Sequence, residues 1–176
     1  MVAKGRWWVS WSRTPVGRVV SVNVSEQKGV AKEPVPEAEF RPDLGVVGDA
    51  HGGPGPRQVS LLALESMEKQ RQVFRAKKVS GQRCRKDYDL SLELKPGSFA
   101  ENLTIAGIPL AELPIGTQLQ VGEGVVLEVS QIGKECHTGC AIFELLGDCV
   151  MPREGVFARV LREGKVRPGD RVEVLL

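Results

Sequence analysis

The chain of 176 residues sets 24 lysines and arginines against 22 acidic residues for a formal net charge of +2, which withholds the field that a nonspecific nucleic-acid binder needs. Its length suits a single domain whose core needs no disulfide or metal staple. Aromatic residues make up only 5%, whereas Gly (20) and Pro (11) are plentiful, a balance that favours short strands joined by tight turns.

Residues 1–16 place all three tryptophans, Trp7, Trp8 and Trp11, ahead of the first regular pattern. The stretch is too short and too polar to cross a bilayer. It shows no basic leader followed by an apolar run and a cleavage site. We read it as an N-terminal extension of one domain over 17–176, with no membrane partner. The same pattern makes a cytoplasmic chain with reduced thiols the expectation.

In 17–24, GRVVSVNV, the valines Val20, Val22 and Val24 alternate with Ser21 and Asn23, the period of a half-buried strand. Residues 25–57 have little periodicity beyond a candidate edge strand at 38–40, and a connection so long within one domain points to function or mobility. It ends in the densest turn chemistry of the protein, 48–56, where glycines permit positive φ and allow backbone N–H groups to gather as an anion nest. A plain surface loop is the alternative there.

Residues 58–62 read as a strand leading into a helix over 63–78 with Leu64, Met67 and Phe74 on one stripe. Gln70 and Arg71 interrupt the stripe, which predicts a helix on the outside. The following segment is basic and carries Cys84, read as an incidental surface thiol. Leu90, Leu92 and Leu94 alternate as a strand before Pro96-Gly97. Glu101 and Asn102 then sit between Phe99 and Leu103, a polar pair entering an apolar strand, facing either solvent or a ligand.

A hairpin is predicted from 115–121 and 125–129 around Gly122-Glu123-Gly124. LPIGTQLQV at 113–121 echoes VRPGDRVEV at 166–174, as suits two strands that start alike around a barrel. Thr138 is placed to cap a brief helix closing at Gly147, and 157–161 and 172–175 finish the chain as strands. Strands outnumber helices and do not alternate with them. The expected fold is therefore mainly β, a closed or partly open β-barrel with a few peripheral helices, and not a doubly wound sheet.

The chemistry concentrates in 131–155, QIGKECHTGCAIFELLGDCVMPREG, which holds three of the four cysteines and one of the two histidines. Cys136 has Lys134 before it, His137 after it and a Gly133 turn feeding into it, a setting that lowers a thiol pKa and makes Cys136 the candidate reactive atom. A soft-metal site from Cys136, His137, Cys140 and Cys149 is a competing reading, and a zinc-stabilised non-catalytic binding module would follow from it. The bland alternative makes Cys140 and Cys149 small buried apolar residues. GDAHGGPG lacks the Gly-Lys-Ser/Thr of a phosphate loop and the context of a dinucleotide fold. No serine lies in a G-x-S-x-G elbow.

The ordered set GVVGDAHGG, RQVSLLA, PGSFAENLTI, LPIGTQLQVGEGVVLEV and QIGKECHTGCAIFELLGDCVMPREGVFARV resembles the MOSC family, the molybdenum cofactor sulfurase C-terminal domain, in its bacterial stand-alone form. The likeness runs over nearly the whole chain. It implies a barrel like that of pyruvate kinase and a role in the sulfur chemistry of the molybdenum cofactor (molybdopterin). Cys136 falls where the family's proposed sulfur-carrying cysteine lies. Asp49 and His51 match its G-D-x-H segment, and Glu101 with Asn102 its F-x-E-N-L segment. The segment 81–87 is longer than usual, and no pyridoxal-phosphate desulfurase domain is present in this sequence.

On this resemblance, Cys136 accepts sulfur from a cysteine desulfurase as a persulfide and passes it to the metal. Lys134 and His137 favour its thiolate, and Glu101 and Asn102 orient the cofactor. Arg57, Arg153, Lys134 and Arg159 are the cations near the motif segments, each with a solvated surface charge as the alternative. The resemblance also allows a resident cofactor with Cys136 as molybdenum ligand, reducing N-hydroxylated compounds. Expected partners are the cofactor and either a cysteine desulfurase or a molybdoenzyme.

Overall fold

The computed structural model describes residues 14–79, 93–135, 143 and 149–175. In chain order the elements are β1 (Val16–Val24), β2 (Glu33–Val35), β3 (Ala38–Arg41), β4 (Gly45–Val46), β5 (Val59–Ala63), α1 (Leu64–Val79), β6 (Leu103–Ala106), a 3-10 turn (Leu110–Glu112), β7 (Gln118–Val121) and β8 (Val125–Ile132). They continue with α2 (Met151–Glu154), β9 (Val156–Arg162), β10 (Gly164–Val166) and β11 (Arg171–Leu175). Seven strands close a barrel in the order β1, β11, β7, β8, β9, β5, β6 and back to β1. The expected barrel is thus what the chain forms. β2 pairs on the end of β1, and β10, β3 and β4 make a separate three-stranded sheet.

Among the described strands only β5 and β6 pair in parallel, and α1 lies in their crossover. β5 is buried along its whole length because its two faces meet different cores. Val59, Leu61 and Ala63 point into the barrel, whereas Leu62 joins an outer cluster with Met67, Phe74, Leu94, Phe99, Met151 and Phe157.

Several sequence expectations shift in ways the packing explains. The alternation expected in β1 is broken by a bulge against β6 between Val19 and Ser21, so Val19 and Val22 both face the core and Val20 is only half-buried. The stripe on α1 is completed by buried Ser66 and Gln70 rather than by aliphatic residues. Arg71 then lies beside it, donating to the Leu94 carbonyl and to Glu68. Of the strand expected over 90–94, residues 90–92 lie outside the described residues, and 93–95 are not strand. The helix expected after Thr138 also lies outside them apart from Phe143.

The sequence echo has a structural counterpart. β7 and β11 are antiparallel neighbours with Leu119 opposite Val174. Each is entered by a turn with glycine in the left-handed region, Gly116 at φ 92° and Gly169 at φ 95°, the third position of a type II turn. Among the described residues no helix is long and apolar enough to cross a membrane.

Candidate functional site

One line of the register runs around one end of the barrel: Val22 opposite Leu103, Leu103 beside Leu61, Leu61 opposite Val156, and Val156 opposite Ile132. The exits of β1 and β8 and the entries of β5, β6 and β9 therefore share a rim. Segments far apart in sequence, 25–32, 48–58, 97–102 and 133–135, meet there for that reason.

Glu101 and Asn102 do not enter a strand; they stand just before β6 and are 0% and 1% exposed. Glu101 accepts from the Gly97 N–H at 2.6 Å, the Phe99 N–H at 3.1 Å and the Thr104 hydroxyl at 2.8 Å. Its carboxylate thus ties down the 97–100 loop. Burial pushes its pKa above the usual glutamate value, although all three donors pull the other way. Ala100 in that loop adopts φ 61°, held by its N–H on the Gly97 carbonyl at 2.9 Å.

Asn102 is saturated. Its Nδ2 donates to Asp49 Oδ2 at 3.0 Å and to the Asn23 carbonyl at 3.2 Å, while its Oδ1 accepts the Ser60 N–H at 3.1 Å and the Ser60 hydroxyl at 2.9 Å. The Asp49 side chain is 2% exposed and forms an ion pair with Lys32 Nζ at 2.5 Å. Burial opposes ionisation of Asp49. The Lys32 hydrogen bond and the backbone donors of His51 and Ser25 outweigh it and bring its pKa below the ordinary aspartate value. Burial lowers the pKa of Lys32. The pKa of His51 is lowered by burial and by the positive Lys32, against the pull of Asp49.

Outside this polar wall lies a cavity of about 430 Å³. Lys28, Arg57, Lys134 and His51 line it, together with Ser60 and Asn102, and Phe99, Met151 and Phe157 from the outer cluster form its apolar side. No carboxylate is among the described lining residues, and none of Lys28, Arg57 and Lys134 has an ion pair among the described residues. Cations with no counter-charge among the described residues around a cleft focus a field that concentrates anions.

The turn at 48–56 uses five successive N–H groups, those of residues 49–53, within the fold. The N–H groups of Asp49, Ala50, Gly52 and Gly53 donate to the carbonyls of Val46, Ser25, Asp49 and Leu44, and that of His51 donates to Asp49 Oδ1. Among the side chains, Lys28, Arg57 and Lys134 are the cations that face this cavity.

Of the residues singled out in the sequence, His51, Arg57, Asn102 and Lys134 line the cavity, whereas Asp49 and Glu101 stand behind it as supports. Arg153 is exposed on α2 and is not a lining residue. Arg159 pairs with Glu128 at 2.5 Å. Cys149 is 6% exposed within the outer cluster. Cys84, Cys136, His137 and Cys140 lie outside the described residues, and among the described ones no three His, Cys, Asp or Glu side chains converge as for a metal. Lys28, Lys32, Ser60 and Met151 were missed. Lys32 sits in an aperiodic stretch where one sequence offers no sign that a lysine is buried.

The family model of the MOSC domain matches residues 47–173. Over 90 residues the chain is 34% identical to the uncharacterized protein YflK of Bacillus subtilis (strain 168), a match covering 49% of this chain and only 40% of YflK. Among solved structures it resembles the YUAD protein from Bacillus subtilis with a TM-score of 0.70 and 19% identity, over 90% of this chain and 95% of that one. It also resembles YiiM from Geobacillus stearothermophilus, with a TM-score of 0.64 and 20% identity over 91% and 75% of the two chains. At such identities these structures speak for the fold alone.

Proposed function

Because the chain belongs to the MOSC domain family, which is associated with molybdenum-cofactor-related proteins, we propose that it carries sulfur for that cofactor on Cys136. One observation carries the reading: Lys134 lines the cation-rich cavity, and two peptide units keep the Cα of Cys136 within about 7 Å of the Cα of Lys134. A thiol two residues along the chain from a cavity-lining cation supports that reading.

The donor set fits an anionic ring-bearing group. Lys28, Arg57 and Lys134 match phosphate or dithiolene charge, and Phe99, Met151 and Phe157 offer an apolar and soft side. The molybdenum cofactor, when bound, supplies the metal centre that receives the sulfur. Everything else falls to this chain. The Cys136 thiolate, favoured by Lys134 and His137, attacks the outer sulfur of a persulfide on a cysteine desulfurase. A new S–S bond forms at Cys136 as the donor's S–S bond breaks and the donor thiolate leaves, with no net oxidation.

Incubation with a desulfurase and cysteine is expected to add one sulfur to the Cys136 peptide by mass spectrometry, and Cys136→Ala to abolish the addition. Normal loading of the alanine protein removes Cys136 from the mechanism. Molybdenum and pterin retained through purification, with no labile sulfur, would replace carriage by the resident-cofactor reading.

The cation cluster has its own consequence. Reversing one charge, as in Arg57→Glu or Lys134→Glu, is expected to weaken inorganic phosphate binding about tenfold at low salt, with the difference shrinking as salt rises. Isothermal titration at two ionic strengths measures it, and equal affinities in wild type and variants would show that the cavity does not select anions.

A further inference from the structure

Lys32 belongs to no motif, yet it is among the largest fully buried side chains of the protein, at 1% exposure. A lysine that deep persists only when its charge is paired. The side chain of its partner Asp49 is 2% exposed, so both charges sit in the wall rather than in solvent. Lys32 is not a lining residue of the cavity. Its ammonium is nevertheless one residue, Asp49, removed from two that are, His51 and Asn102.

Asp49 Oδ2 accepts from Lys32 Nζ at 2.5 Å, from Asn102 Nδ2 at 3.0 Å and from the Ser25 N–H at 3.2 Å, while Oδ1 accepts the His51 N–H at 3.0 Å. An ionised carboxylate only accepts, so it dictates which end of the Asn102 amide faces it. With Nδ2 committed there, Oδ1 must face Ser60, whose N–H and hydroxyl it receives at 3.1 and 2.9 Å. Turning the amide over would set Nδ2 against the Ser60 N–H and Oδ1 against the carboxylate. The main chain of Lys32 adds a second hold. Its N–H donates to the Gly97 carbonyl at 2.9 Å, and Gly97, at φ 88°, passes so close that a Cβ there would lie 2.1 Å from the Lys32 carbonyl oxygen.

We propose that Lys32 is a positioning residue of this cavity: its ammonium neutralises Asp49 inside the wall, and the neutral pair fixes the Asn102 amide and through it the Ser60 hydroxyl at the cavity surface. The proposal rests on the cavity being the ligand site. It separates a neutral prop from a direct electrostatic attractor. If neutrality is what matters, removing both charges restores much of the anion binding that is lost when Lys32 alone is removed, since that single change leaves the Asp49 carboxylate uncompensated behind a site meant for anions.

The test uses the full chain with inorganic phosphate as the probe and compares wild type, Lys32→Met, Asp49→Asn and the double variant Lys32→Met/Asp49→Asn. Lys32→Met is expected to lower Tm by about 10 °C, to shift the Asn102 side-chain amide resonances, and to weaken phosphate binding about tenfold. The double variant, which leaves no uncompensated charge, is expected to bind at least about threefold tighter than Lys32→Met, while its Asn102 resonances stay shifted because an amide at 49 both donates and accepts. If Lys32→Met does not fold, the double variant decides alone.

Two results overturn the proposal. In one, Lys32→Met lowers Tm but leaves both the Asn102 resonances and the phosphate affinity unchanged, which marks Lys32 as structural only. In the other, the double variant binds as poorly as the single one, which makes the ammonium itself the attractor. Absence of phosphate binding in the wild type sinks the cavity reading instead, and the Asn102 resonances then judge Lys32 by themselves.

Discussion

Glu101→Ala is expected to lower the unfolding free energy by about 4 kcal/mol, since three buried donors lose their acceptor and each such loss costs about 1–3 kcal/mol. The donors are the N–H groups of Gly97 and Phe99 and the Thr104 hydroxyl. Glu101 is 0% exposed, so water does not replace it without opening the loop. A loss of that size is a large share of the roughly 5–15 kcal/mol that holds a domain together. Urea denaturation measures it, and a midpoint close to wild type would show that the 97–100 loop is held by something else.

The same carboxyl gives a pH dependence of definite sign. Burial raises its folded pKa above the ordinary value of 4.5, so above that value the native chain holds a proton that the unfolded chain has lost. This contribution to stability therefore falls as pH rises through the window between the two values. Glu101→Gln removes that slope, at a cost of about 2 kcal/mol for turning an amide NH2 toward backbone donors. Asp49 acts in the opposite sense: its pKa is lowered from 3.8, and its contribution is lost as pH falls below that value. Unfolding curves across the acid range separate the two, and a wild-type profile matching Glu101→Gln above pH 4.5 would contradict the assignment.

The barrel was legible because its signals are local. Turn glycines such as Gly116 and Gly169 stand where the strands must reverse, and Val125, Leu127 and Val129 keep a period of two against Leu119 and Val121. The bulge at Val20 was not, because a shift of register depends on what β6 presents opposite it. At the site, the residues with motif neighbours were visible, namely His51, Arg57, Asn102 and Lys134. Their arrangement was not. Whether Glu101 faces a ligand or its own loop depends on where Gly97 and Phe99 place their N–H groups. Whether glycines at 48–56 form a nest depends on the carbonyls of Ser25 and Leu44, which belong to another part of the chain. Lys32 shows the limit most plainly, because a buried lysine and a solvated one look alike until the partner carboxylate is located.

On the proposed sulfur-carrying role, Gly133→Ala is expected to slow Cys136 persulfide loading about a hundredfold, the scale of effect produced by a misplacement of roughly 1 Å. Gly133 has φ 67°, a conformation costly for any residue with a Cβ, and that Cβ would sit 2.3 Å from the Pro152 carbonyl oxygen. Its N–H also donates to the Gly155 carbonyl at 2.7 Å. The chain leaving β8 is thus pressed against both ends of α2, and backbone on both sides leaves no flexible side chain to give way. The displacement passes to Lys134, which lines the cavity, and on to Cys136 three residues after the substitution. Gly116→Ala is the control. It has the same kind of backbone strain at φ 92°, but nothing lies within 4 Å of its Cβ, so it costs about 1 kcal/mol and leaves loading alone. Loading of Gly133→Ala at the rate of Gly116→Ala would mean that the approach of β8 to α2 does not set the position of the cysteine segment.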